Sequence, residues 1–301
     1  MLRYVESVRS PRLLILVLAL TTACGQAGAT NPATPPASTR SGGPHARVAL
    51  AGFAARTARA GSARVAMHMT MSGVSSPGTI EVDATGVVAF RSRAGAMQLR
   101  MTSPTTGSVL RIREITLWPV VYMRSSLFAS EPHSKGPWVK LDLARIERRH
   151  GVDVNALATT GGNDPGEMLS TLAGESDSIA TVGHALVRGV NTTHYRAVID
   201  LSKVAASAPP ALRAAARRSE AHLEAMLGKH LMPMDVWIGG DGLVRRVAYR
   251  TSVPLAGATG TLTTSVRLEM FGFGVPVHVT APPASRTTDL TAAVAAGAGS
   301  G

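Results

Sequence analysis

The stretch Ala63-Arg64-Val65-Ala66-Met67-His68-Met69-Thr70-Met71 decides the fold. Its odd positions are all apolar, and its even positions carry Arg64, His68 and Thr70. Successive side chains of a strand point to opposite faces, so this period of two describes a β-strand with one greasy face and one wet face. The pattern recurs down the chain. Residues 79–90 are rich in Val and Thr; Met97, Leu99 and Met101 alternate with Gln98, Arg100 and Thr102; Leu110 and Ile112 alternate with Arg111 and Arg113. Later, Tyr195, Ala197, Ile199 and Leu201 share a face, as do Met234, Val236 and Ile238, and Leu262, Thr264, Val266, Leu268 and Met270. Leu243, Val247 and Tyr249 follow Gly239-Gly240-Asp241-Gly242, a hairpin-turn signal.

Sheets that are apolar on one side only are antiparallel in nearly all cases. The predicted class is therefore α+β: a single large curved antiparallel sheet, an open half-barrel, with a few helices on its concave face. The clearest helix is 209–228, with Pro209 and Pro210 at its start and Gly228 at its end. Leu212, Ala216, Ser219, Leu223, Met226 and Leu227 form its apolar stripe. Shorter helices are expected at 143–150 and 164–173, the latter with Asp164 as N-cap and Pro165 at the first helical position.

Three helices, two of them short, are thin cover for eight or more strands, so a cavity between sheet and helices is expected. Its predicted lining is Val65, Met67, Met69, Met97, Leu99, Met101, Leu110, Ile112, Met234, Val236, Val266 and Leu268 from the strands, with Leu223 and Met226 from the long helix. Met67, Met69, Met71, Met97, Met101, Met234 and Met270 all fall on apolar strand faces. Flexible thioethers suit a surface that repacks around acyl chains, and they suit a solid core equally well. Composition does not choose between the two.

The N-terminus reads as a processing signal. Arg3, Arg9 and Arg12 precede the apolar run Leu13-Leu14-Ile15-Leu16-Val17-Leu18-Ala19-Leu20. As a helix those residues rise about 12 Å, far short of the roughly 30 Å of a bilayer core. Thr21-Thr22-Ala23 follow, then Cys24, the sole cysteine. That order resembles the bacterial lipobox, whose thiol is acylated and becomes the new N-terminus; Thr21 stands where an aliphatic residue is usual. An ordinary secretory signal cleaved near Ala23 or Ala27 is the alternative. The expected organisation is a signal peptide over 1–23, lipidated Cys24 with a tether over 24–47, one folded domain over 48–283, and a poorly ordered tail over 284–301. Residues 25–46 are almost all small or polar and cannot bury enough apolar surface to offset their ordering entropy.

A formal charge of +12 raises the possibility of nucleic acid. The excess is nearly all arginine, since lysine occurs only at 135, 140, 203 and 229, and it is scattered without interleaved stacking aromatics. Nucleic acid is therefore not an expected partner; anionic phospholipid head groups suit such a surface better. Gly-x-Ser-x-Gly, His-Glu-x-x-His and Cys-x-x-Cys are all missing from the sequence. His68 and His194 sit on wet strand faces and read as solvated. No enzyme, cofactor or metal site is predicted, and a hydrolase remains only as a minor reading.

Five fragments, taken in order, resemble a known group: Trp118-Pro119-Val120-Val121-Tyr122-Met123, Gly136-Pro137-Trp138-Val139-Lys140-Leu141-Asp142-Leu143, Thr193-His194-Tyr195-Arg196-Ala197-Val198-Ile199-Asp200, Met232-Pro233-Met234-Asp235-Val236-Trp237-Ile238 with Asp241-Gly242-Leu243-Val244-Arg245-Arg246, and Phe271-Gly272-Phe273-Gly274-Val275-Pro276-Val277. The arrangement is similar to the LppX/LprA/LprF/LprG actinobacterial lipoproteins, which share a half-barrel with the LolA and LolB carriers. The resemblance implies an apolar cavity that takes acylated lipids or glycolipids and moves or presents them between membranes, with no catalytic motif. The expectation is a monomer held on the extracytoplasmic face of the cell membrane by acylated Cys24, with a lipid ligand and an envelope transporter as a candidate partner. The alternative is a non-catalytic envelope scaffold with a solid core.

Overall fold

The computed structural model describes residues 41–42, 44–73, 78–129, 135–150, 176–200, 217, 231–254 and 261–297. In chain order these form β1 (Ser41–Gly42), α1 (Pro44–Arg59), β2 (Ser62–Ser72), β3 (Thr79–Ala89), β4 (Ala94–Thr102), β5 (Val109–Leu117) and β6 (Val120–Arg124). A short α2 (Ser126–Ala129) leads to β7 (Trp138–Asp142) and α3 (Leu143–His150). Then come β8 (Ser176–Val187), β9 (Val190–Asp200), β10 (Leu231–Gly239), β11 (Val244–Pro254), β12 (Thr261–Phe271), β13 (Thr287–Asp289) and α4 (Thr291–Gly297).

All strands join one sheet in the order β1-β8-β9-β10-β11-β12-β2-β3-β4-β5-β6-β7-β13. It consists of two meanders, β2–β7 and β8–β12, sewn together where β12 pairs antiparallel with β2. The sheet is the expected open, mostly antiparallel half-barrel; the exception is β13, which runs parallel to β7. Both edges are covered by short terminal strands, β1 against β8 and β13 against β7, which shields unpaired ladder groups. Between β12 and β13 the chain returns past β2–β7, tied at its start by Gly274 N–H donating to Ser62 O (2.9 Å) and Ser62 Oγ donating to Val275 O (2.5 Å).

Two glycines set the spacing of β3 and β4. A Cβ on Gly86 of β3 would overlap the Ala96 carbonyl and stand 2.9 Å from Met97 Cα; one on Gly95 of β4 would stand 2.8 Å from the Val87 carbonyl oxygen. At these two positions β3 and β4 approach more closely than a side chain permits, so only glycine fits.

Burial follows the alternation. Ala63, Val65, Met67, Met69 and Met71 are buried, whereas Arg64 and His68 are exposed. The apolar face carries two clusters. The larger spans β2, β3, β4 and β8–β12 and includes Ala54 of α1, with Phe53 packed against it. The smaller joins Ile112, Met123, Val139 and Leu141 to Phe128 of α2, Ile146 of α3, and Val294 and Ala295 of α4.

β1 and the first residues of α1 precede residue 48; α1 is a helix whose Ala-rich sequence lacks a strong apolar stripe. It is fixed instead by Thr57, whose Oγ1 donates to Phe53 O (2.8 Å) and accepts from Val244 N–H (2.9 Å). After residue 284, β13 and α4 fold back and bury Val294 and Ala295. Small residues there let α4 lie close to α3. Helix 143–150 is present as read, while 164–173 and, apart from residue 217, 209–228 lie outside the described residues.

Candidate functional site: the apolar face of the sheet

Strand register gathers the predicted lining into three adjacent cross-strand rows. The first runs Tyr195–Val236–Val247–Leu268–Met67–Ala84–Leu99–Ile112. The second runs Ala197–Met234–Tyr249–Val266–Met69–Val82–Met101–Leu110. The third runs Met270–Val65–Gly86–Met97–Glu114–Met123–Val139. Every predicted lining residue falls in these rows except Leu223 and Met226, which lie outside the described residues. Cys24 lies outside them too.

Cover is uneven along this wall. Val65, Met67, Met69, Met97, Ile112, Met234, Val236, Val266 and Leu268 are buried, while Leu99, Met101 and Leu110 are only half-buried. Leu99 packs against both clusters and marks the seam between them. Met101 and Leu110 are direct cross-strand partners at the ends of β4 and β5, next to that seam.

Sequence reasoning missed Glu114. It continues the apolar phase of Leu110 and Ile112, and stands in the third row between Met97 and Met123. The residue keeps some surface, but its carboxyl is enclosed; burial pushes its pKa above the usual carboxylate range, against a hydrogen bond donated by Thr116 Oγ1 (3.0 Å). An acid in an apolar wall holds its proton more tightly because the charged form loses its hydration. Extending the count two residues past Ile112 would have placed it there.

The outer face is polar and paired in one region. His68 Nδ1 lies 2.8 Å from Asp83 Oδ1, and His194 Nε2 lies 2.8 Å from Asp235 Oδ1 while its ring stacks on Trp237 at 4.2 Å. Both histidines therefore have carboxylate partners rather than being simply solvated. Glu269 accepts from Arg246 (3.0 and 2.7 Å) and Arg188 (2.7 Å), and Arg188 also lies over the Phe271 ring at 4.0 Å. Among the described residues, no cluster of three or more His, Cys, Asp or Glu could hold a metal ion, and no helix is long and apolar enough to cross a membrane.

The strand arrangement is similar to that of two mycobacterial proteins. LprF from Mycobacterium bovis is 12% identical, with 80% of this chain and 99% of that chain covered and a TM-score of 0.43. LppX, a Mycobacterium tuberculosis lipoprotein, is 18% identical, with coverages of 77% and 98% and a TM-score of 0.37. Both belong to the group that the sequence fragments resemble. A LolA superfamily protein from Nitrosomonas europaea is similar at 5% identity, covering 75% of this chain and 94% of that chain, with a TM-score of 0.23. The likeness is one of fold. No family model and no curated protein matches the chain.

Proposed function

We propose that this chain is an extracytoplasmic lipoprotein, acylated at Cys24, that binds the acyl chains of a lipid or glycolipid against the three-row apolar wall. The observation that carries this reading is the wall itself: broad, rich in methionine, and half-open at Leu99, Met101 and Leu110, where its two clusters meet. Apolar burial is worth roughly 25 cal/mol per Å² removed from water. Moving a chain from bilayer to protein exchanges one apolar surface for another, so the net free energy is small and transfer runs in either direction. Such a site discriminates poorly between tails. The head group must be read at the rim.

A second reading has its own support. Val65, Val236 and Leu268 are almost completely buried by the chain itself, as in the solid core of an envelope scaffold. One experiment separates the two. The purified full chain is extracted with organic solvent for mass spectrometry, and is then titrated with a fluorescent fatty acid. A carrier yields co-purified lipid and saturable uptake, and Met101→Arg weakens uptake at least about tenfold by placing a charge against the tail. A clean extract with no uptake by the folded chain establishes the scaffold.

A further inference from the structure

On the outer face, one cross-strand row is matched in charge at one end and unmatched at the other. It runs from Arg246 and Glu269 through Ala66, Thr85 and Gln98 to Arg113 and Arg124. The adjoining row sets Asp83 opposite Arg100, and Arg100 opposite Arg111. Two arginine pairs, Arg100–Arg111 and Arg113–Arg124, thus face each other directly, and all four residues are exposed. Like charges directly opposite across strands work against folding. Elsewhere on the sheet Arg188 and Arg246 share Glu269, Arg196 meets Asp235 and Arg245 meets Asp241. Among the described residues no carboxylate forms an ion pair with any of these four arginines. Asp83, the one acid among the described residues that line the groove, is held by His68 instead. A groove of about 700 Å³ opens over them and ends against Ser125, Ser126 and Pro137.

We propose that this groove is a binding site for a phosphoryl-bearing anion, held by the paired guanidinium groups. A guanidinium presents parallel N–H donors that match two phosphate oxygens, and it stays charged at every physiological pH. Directly opposed side chains start about 5 Å apart and can converge on one phosphoryl group. The second pair is displaced two residues along β5 and one strand across, about 8 Å away, where it can take a second group. The bound anion also relieves the two like-charge contacts. The four arginines alternate along β4–β6 with residues of the apolar rows, so their side chains lie on the opposite face from the lipid wall, although Ala84, Leu99 and Ile112 of that wall also border the groove. A soluble diphosphate and a phospholipid head group offer the same chemistry.

The test uses the full chain, with inorganic pyrophosphate and, separately, vesicles of phosphatidylglycerol or phosphatidylcholine. The groove variants are R100Q/R111Q and R113Q/R124Q. The control R250Q/R267Q removes the same charge from exposed outer-face positions outside the groove. Saturable pyrophosphate binding is expected, weakened at least about tenfold in each groove variant and within about twofold of wild type in the control. Without ligand, the groove variants should melt no lower than wild type, which separates lost binding from lost folding. Binding of pyrophosphate alone identifies a soluble ligand. Phosphatidylglycerol binding that the groove variants lose and pyrophosphate competes away identifies a head group. Equal losses in control and groove variants, or no groove-dependent binding of either probe, overturns the site.

Discussion

Replacing Glu269 with Gln keeps the side chain's shape and removes the charge that holds the outer face of β8–β12 together. The Glu269 side chain is 15% exposed, Arg246 22% and Arg188 44%. Hydrogen bonds to charged groups contribute about 1.5–3 kcal/mol when mostly buried. The Arg246 limb fits that range at about 2 kcal/mol, whereas the Arg188 limb is more than a third exposed and screened, contributing under about 1 kcal/mol. E269Q should therefore lose about 2–3 kcal/mol near neutral pH, R246A about 2 kcal/mol, and R188A under about 1 kcal/mol. Burial alone would raise the Glu269 pKa, but the hydrogen bonds and charges of Arg246 and Arg188 outweigh it and hold the carboxyl below its ordinary value of 4.5. A depressed acid stabilises the fold above its unfolded pKa, and that stability is lost as pH falls through the folded value. The E269Q deficit should then shrink steadily below pH 4.5. Equilibrium urea unfolding followed by tryptophan fluorescence, at about pH 7 and about pH 3, measures both effects. A deficit unchanged between the two, or R188A costing as much as R246A, would refute the reasoning.

Other consequences follow from the wall. Glu114 has a raised pKa, so its own contribution to stability is fully present below its ordinary value of 4.5 and is lost as pH rises through the folded value; E114Q should gain on wild type progressively as pH rises above 4.5 in the same unfolding assay. Gly86→Ala should cost about 1–3 kcal/mol by driving β3 away from the Ala96 carbonyl, read as a lower urea midpoint. Leu141→Ala, at a residue with 0% exposure in the smaller cluster, should cost about 2–5 kcal/mol by calorimetry or urea unfolding.

Strand identity and face were legible because alternation is local: Met67 and His68 point opposite ways whatever surrounds them. The hairpin at Gly239–Leu243 was legible for the same reason, and the structure closes it with Gly242 N–H donating to Gly239 O at 2.8 Å. α1 and α4 were not legible. Their small residues carry little periodicity, and they are held by distant partners such as Val244 and by the cluster around Leu141. Glu114 escaped because an acid in an apolar phase reads as the end of a strand.

Sequence alone determined that this chain builds a one-sided sheet, since side-chain direction along a strand depends only on residue parity. Which strands lie side by side was decided by tertiary structure, above all the pairing of β12 with β2 and of β13 with β7. That pairing places Glu269 beside Arg246 and leaves Arg113 facing Arg124 across the same row. Charges along one strand are visible in the sequence, but their energies depend on neighbours from other strands, and only the folded sheet supplies those neighbours.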